Sequence, residues 1–165
     1  MNSTIKRLII FGNSGSGKST LAKQYANQFS LAHLDLDSLA WQNTNPPQRK
    51  SVADSAKDIE KFVKQNDNWV IEGCYASLLL LVTEKANKII FINPGTDTCI
   101  ANCKNRSWEP HKYESKKAQD ANLTMLIDWI KQYTERTDEF SLRAHRELFD
   151  NFSGNKIEFT SNKRN

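Results

Sequence analysis

Residues Gly12-Asn13-Ser14-Gly15-Ser16-Gly17-Lys18-Ser19, with Thr20 next, constrain this chain more than any other stretch. They match Gly-x-x-x-x-Gly-Lys-Ser/Thr. They follow the apolar run Leu8 to Phe11 and open a segment with Leu21, Tyr25 and Phe29 at i, i+4 and i+8. A strand, a glycine-rich turn and a helix, in that order, make a cradle for phosphate. Glycines allow a path on which successive backbone N–H groups turn inward around an anion. The helix that follows adds the positive end of its dipole. In that setting Lys18 supplies a point charge to the β- and γ-phosphates, and the Ser19 hydroxyl is offered to magnesium. A chance match of the four fixed positions occurs in roughly one chain of this size in a few hundred. The strand before and the helix after remove most of those. Residues 12–20 are therefore expected to bind ATP with Mg2+.

The rest of the chain supplies a frame for such a loop. At 165 residues and roughly 150 residues per domain, a single domain over 1–165 is expected. Strands are predicted at 5–11, 32–35, 69–72, 88–92 and 156–160. Helices are predicted from residue 18, over 52–63, over 75–86 and over 96–106. Two more run through Leu123, Ile127, Ile130 and Tyr133 and through Phe140, Ala144 and Leu148. Pro46-Pro47 keeps 43–48 a loop. Strands alternating with helices imply a five-stranded parallel sheet covered on both faces, an α/β fold.

Composition closes off several classes. The longest apolar run, Leu78 to Val82, is far short of the ~18 residues a membrane span needs. The start, Met1 to Arg7, leads into an apolar run too short for a secretory core, so a cytoplasmic protein is expected. The net charge of +4 is evenly spread. Residues 1–82 hold 9 basic and 7 acidic residues, and 83–165 hold 14 and 12. A nucleic-acid partner is not expected from that pattern, and neither is a membrane. A monomer or homodimer is. Cys74, Cys99 and Cys103 fit no zinc spacing. Cys99 and Cys103, at i and i+4, read as small core residues.

Ligands of open α/β sheets sit beyond the carboxyl ends of the strands. Two acidic groups occur there: Asp35-Leu36-Asp37 after the second strand and Glu72-Gly73 at the end of the third. Glu72 is placed to hold magnesium, directly or through water. Asp35 or Asp37 is placed to orient or deprotonate an acceptor hydroxyl. In an extended segment the two aspartates share one side. A competing role for Asp37 is to cap a helix through Leu39-Ala40-Trp41.

Segment 104–117 carries Lys104, Arg106, Lys112, Lys116 and Lys117 against Glu109 and Glu114, with Trp108, Pro110 and Tyr113 breaking helical periodicity. It reads as a lid that closes over ATP and brings Arg106 to the transferring group, or else as a solvated charged surface. Arg136, Arg143 and Arg146 read as surface salt-bridge partners. His33, His111 and His145 stand isolated in the sequence, and no metal site built from protein ligands alone is expected. Trp41 reads as core or as pocket wall.

Together these residues resemble the small P-loop kinases: shikimate, gluconate and adenylate kinase. Asp35-Leu36-Asp37 is similar to the Asp-x-Asp of shikimate kinases, and Glu72-Gly73 to the acidic-Gly pair of adenylate kinases. Gly12 to Ala22 (the Walker A loop), Leu36-Asp37-Ser38-Leu39-Ala40-Trp41 and Trp69-Val70-Ile71-Glu72-Gly73-Cys74-Tyr75 resemble the pattern of adenylate-kinase-related proteins named for topology modulation. The likeness spans most of the first hundred residues. It implies a P-loop NTPase with strand order 2-3-1-4-5 and a lid. It implies ATP- and magnesium-dependent phosphoryl transfer to a small-molecule or nucleotide acceptor, that is, a kinase. Lys18, Asp37 and Arg106 would then be catalytic, Gly12 to Thr20 would hold nucleotide, and Ser19 and Glu72 would hold magnesium. Asp35, Asp37, Gly73 and Tyr75 would face the acceptor. The acceptor signatures are incomplete: Gly73 stands alone where shikimate kinases have a glycine run, and Ala76 stands where adenylate kinases have an arginine. The alternative is a regulatory P-loop NTPase with a macromolecular partner, nucleic acid included.

Overall fold

The computed structural model describes residues 5–163. The start at Met1 to Thr4 and the last two positions of the expected 1–165 domain lie outside the described residues. The chain runs β1 (Arg7–Gly12), α1 (Lys18–Phe29), β2 (Ala32–Asp35), α2 (Val52–Gln65), β3 (Trp69–Gly73), α3 (Ala76–Leu80) and β4 (Lys88–Ile92). It continues through α4 (Thr96–Lys104), α5 (Lys116–Ala121), α6 (Leu123–Lys131), α7 (Leu142–Asn151) and β5 (Asn155–Phe159). The five strands form one parallel sheet in the order β2-β3-β1-β4-β5. This is the expected α/β fold and the expected strand order.

Period-two alternation divides the sheet residues between two cores. Ile9, Phe11, Ile71, Ile89 and Phe91 face α2, α3 and α7, where Ile59, Leu78, Leu79 and Leu148 are buried. Leu8, Ile10, Val70, Ile90 and Ile92 face α1, where Leu21 and Ala22 are buried. Full burial of each Leu, Ile or Phe stabilises the fold by about 1.5–3 kcal/mol, so the central strands are rigid ground for the groups at their carboxyl ends.

The stretch after β3 departs from the sequence reading. The single buried helix expected over 75–86 is instead the five-residue α3 followed by a 3-10 turn, Thr83–Lys85, and Leu80 and Leu81 are exposed. The Thr83 hydroxyl donates to the Leu80 carbonyl at 3.1 Å, a local bond that competes with helix continuation. Asn87 then ties the chain to Arg7 through two hydrogen bonds, its Oδ1 accepting at 2.8 Å and its N–H donating at 2.9 Å. Trp41, read as core or pocket wall, is 44% exposed and is not a core residue. Cys99 and Cys103 are buried as expected, beside Ile130.

The loop needs glycine for two reasons. Gly15 has φ of 76°, and a Cβ there would lie 2.4 Å from the Cys99 carbonyl oxygen. Gly12 would place a Cβ 2.3 Å from the Ile92 carbonyl oxygen. The loop is thus pressed against both β4 and α4. Among the described residues, no helix is long and apolar enough to cross a membrane.

Candidate active site

β1 delivers Gly12 at its carboxyl end, and α1 starts at Lys18 with Gly17 in the left-handed region before it. Two side-chain bonds hold the loop between them. The Asn13 amide donates to the Ile130 carbonyl at 3.3 Å, and the Asn102 amide donates to the Gly15 carbonyl at 2.8 Å. Lys18 folds over the loop and donates to the Asn13 carbonyl at 2.8 Å.

The Ser19 hydroxyl donates to Glu72 Oε1 at 2.8 Å. Glu72 is 1% exposed and sits in register with Ile10 on one side and Asp35 on the other. His33, isolated in the sequence, is not isolated in space: its Nε2 lies 3.4 Å from the same Glu72 oxygen. The β2–β3 register that makes them neighbours leaves no trace in the local sequence.

Asp35 and Asp37 do not share one side of an extended segment. β2 ends at Asp35, and residues Leu36–Ser38 form a 3-10 turn. Burying Leu36 bends the chain here. The Asp35 carboxylate caps the turn by accepting from the Asp37 N–H at 2.9 Å. Asp35 is therefore the capping residue, and the helix expected through Leu39-Ala40-Trp41 does not form. Asp37 is left to the cleft. It accepts from the Tyr75 hydroxyl at 2.5 Å and from Lys112 Nζ at 3.3 Å. Tyr75 is itself buried, and its oxygen accepts from the Trp41 indole at 3.0 Å.

The basic segment lines the same cleft. Arg106 Nε lies 3.1 Å from Glu109 Oε1. Lys112 Nζ lies 3.6 Å from Glu109 Oε2 and 4.0 Å from Asp35. Gln119 on α5 accepts from the Glu109 N–H at 2.8 Å, and Trp108 donates to the Tyr113 carbonyl at 2.9 Å. A cavity of about 250 Å³ is lined by Lys18, Ser19, Thr20, Asp37, Glu72, Gly73, Arg106 and Lys112, among others. A second cleft adjoins it, walled by Gly17, Thr20, Asn102, Arg106, Trp108 and Asn162. Sequence reasoning missed Glu109 and Lys112 as site residues. The available signal was the spacing of three residues on either side of Glu109, to Arg106 and to Lys112.

Electrostatics separate the two aspartates. Burial, then the Glu72 and Asp37 carboxylates, push the Asp35 carboxyl up to about 6. Burial also pushes Asp37 up, but the Lys112 ammonium and the Tyr75 hydroxyl outweigh it, and the net shift is downward. Lys112 is pushed down by burial and more than restored by Asp37, Asp35 and Glu109. Because folded Asp35 binds its proton more tightly than an unfolded aspartate, its contribution to stability is lost as pH rises from about 4 through about 6. Asp35→Asn keeps an oxygen for the Asp37 N–H and removes that loss. Its melting temperature should rise relative to the parent's between pH values of about 4 and about 7. Parallel melting curves for the two proteins across that range would reject the assignment.

Three arginines and a histidine remain, none of which lines the cavity. Arg136 pairs with Asp138 at 2.6 Å and Arg146 with Glu158 at 2.7 Å, as surface pairing predicted. Arg143 is exposed. His145 is buried between the Tyr133 hydroxyl at 2.7 Å and the Cys74 carbonyl at 2.8 Å, and burial pushes it down to about 4.

No family model matches the sequence. A protein of Bacillus subtilis (strain 168) named "Uncharacterized protein YqaC" is 22% identical over 151 residues, which is 86% of this chain and 80% of that one. The cytidylate kinase of Lactococcus lactis subsp. lactis (strain IL1403) is 30% identical over 92 residues, 56% of this chain. Those residues span only 41% of that enzyme. The unliganded structure of a sugar kinase from Janibacter sp. HTCC2649 superposes with a TM-score of 0.51 over 94% of this chain and 84% of that chain, at 10% identity. That likeness speaks for the fold.

Proposed function

We propose that this chain is a kinase: an ATP-dependent, magnesium-requiring P-loop phosphotransferase that acts on a small-molecule or nucleotide acceptor. One observation carries the reading. The Ser19 hydroxyl and the buried Glu72 carboxylate meet at 2.8 Å on the floor of the cavity that Lys18, Asp37 and Arg106 also line. Two similar proteins are kinases by name, one matched over part of its sequence and one in fold, which supports phosphoryl transfer in general.

Residues 12–20 would hold the phosphates of ATP, with Gly12, Ser14, Gly15, Ser16 and Gly17 shaping the backbone cradle and Asn13 anchoring it. The second cleft is placed to take the base, beside Trp108. Magnesium fits the donor set at Ser19 and Glu72. Both are hard oxygen donors, and the carboxylate is out of water with one oxygen already turned to Ser19. When bound, the ion neutralises charge on the β- and γ-phosphates. Asp37, held ionised by Lys112 and Tyr75, would take the acceptor's hydroxyl proton. Asp35, Gly73 and Tyr75 would shape the acceptor side, and the 104–117 lid would exclude water. Lys18 and Arg106 would stabilise charge on the transferring group. A single domain working in the cytoplasm, as monomer or homodimer, meets these needs without nucleic acid or membrane.

The test is ADP release from Mg-ATP in the presence of pooled small metabolites. Release stimulated above the water-only rate is expected, and a rate indifferent to every pool would defeat the reading. Arg106→Ala should lower the stimulated rate by about 100-fold while changing nucleotide affinity by no more than about threefold. Wild-type turnover in that variant would remove Arg106 from the reaction.

A further inference from the structure

We infer that the acceptor is a small polyhydroxy compound without an anionic group, either uncharged or carrying an amine; this rests on the kinase reading of the cavity. Three observations converge on that class.

The first is the charge at the acceptor end. The carboxylates of Asp35, Asp37 and Glu109 surround one ammonium, Lys112, at 4.0, 3.3 and 3.6 Å. Lys112 is the cation of that end among the described lining residues, and it is committed to all three acids. Of the other lining cations, Lys18 is folded onto the phosphate loop at 2.8 Å and Arg106 is paired with Glu109 at 3.1 Å. An acceptor phosphate or carboxylate would meet Asp37 with every lining cation already committed to another partner. A neutral hydroxyl pays no such repulsion, and an ammonium meets the carboxylates of Asp35 and Asp37, which outnumber the one ammonium of Lys112.

The second concerns the nearby arginines that could have gripped an anion. Arg49 pairs with Glu139 at 3.3 Å, and its guanidinium lies 4.6 Å from the centroid of the Tyr75 ring. Arg136 pairs with Asp138, and its guanidinium lies 3.5 Å from the Trp129 centroid. Both are engaged on carboxylates and aromatic faces. Position 76, which opens α3 beside Tyr75, is alanine.

The third is size. The cavity of about 250 Å³ has to seat a terminal phosphate as well as the acceptor. Sites for drug-sized ligands run from about 300 to 1,000 Å³, so the cavity suits a ring or chain of a few hydroxylated carbons better than a second nucleotide.

The transfer balances without any further reactant. The acceptor oxygen forms a bond to the γ-phosphorus of ATP, and the bond from that phosphorus to the β,γ-bridging oxygen breaks. The acceptor's hydroxyl proton passes to the Asp37 carboxylate, and ADP leaves with the electron pair of the broken bond.

The experiment measures ADP release from Mg-ATP with D-glucose, myo-inositol or D-glucosamine on one side and CMP, AMP or D-gluconate on the other, each at millimolar concentration. Mg-ATP thermal stabilisation is read in the same samples. At least one of the first three should raise release by about tenfold or more over the water-only rate, a factor worth 1.36 kcal/mol in the barrier. The three anions should leave it unchanged. Stimulation by CMP, AMP or D-gluconate overturns the inference. So does a failure of all three polyols in protein that Mg-ATP still stabilises. If Mg-ATP gives no stabilisation, the kinase reading itself has failed, and the inference falls with it.

Discussion

Mg-ATP is expected to stabilise the parent protein against heat, and replacing Lys18 with alanine is expected to remove nearly all of that stabilisation. A ligand present at 100 times its Kd stabilises the native state by about 2.7 kcal/mol. For a chain of this size that is a rise of about 5–11 °C in Tm. The Lys18 ammonium is the strongest positive charge the loop itself can offer, and charge-assisted hydrogen bonds contribute about 1.5–3 kcal/mol each. Losing contacts to two phosphates weakens binding by at least about 100-fold, which leaves at most about 0.4 kcal/mol of stabilisation at the same ligand concentration. The variant also loses its bond to the Asn13 carbonyl. Each protein must therefore be compared with its own nucleotide-free melt. A Tm rise equal to the parent's would take the loop out of the nucleotide site.

Asp37→Asn should separate binding from chemistry. The asparagine keeps the shape and an oxygen that can accept from the Tyr75 hydroxyl, so Mg-ATP stabilisation should persist. It cannot take a proton, and general-base catalysis is worth about 10²–10⁴ in rate. Acceptor-stimulated ADP release should fall by that factor. The parent's rate should also hold as pH falls below the usual carboxylate range, because Asp37 titrates lower than an ordinary aspartate. Full activity in the variant would transfer the role to Asp35. That outcome is disfavoured by structure, since Asp35 spends its carboxylate on the backbone of its own turn.

These two expectations differ in how far they could be seen in advance. The Lys18 prediction follows from eight consecutive residues and the elements on either side. The proposed phosphate cradle is local: its glycines, lysine and helix start are neighbours in the chain, and each element obeys its own hydrophobic period. The Asp37 prediction needed coordinates. In the sequence Asp35 and Asp37 were interchangeable, because a strand extended through both would have aimed them alike. The 3-10 turn at Leu36–Ser38 broke that equivalence by burying Leu36 and turning one carboxylate to the backbone and the other to the cleft. The α3 region was misjudged for a related reason. A run of leucines carries no mark of where a short helix must stop to bring the chain back to Arg7.

By itself, then, the sequence determined the glycine-rich loop between strand and helix, the alternation of strands and helices, the parallel sheet and the acids at the strand ends. All of these rest on spacing along the chain. Tertiary structure decided who meets whom: Ser19 with Glu72 across 53 residues, Tyr75 with Asp37 across 38, and Lys112 with Asp37 across 75. Such pairs depend on strand register and on where the lid segment settles. One position of slip in either would change every partner without altering the pattern that predicts the elements.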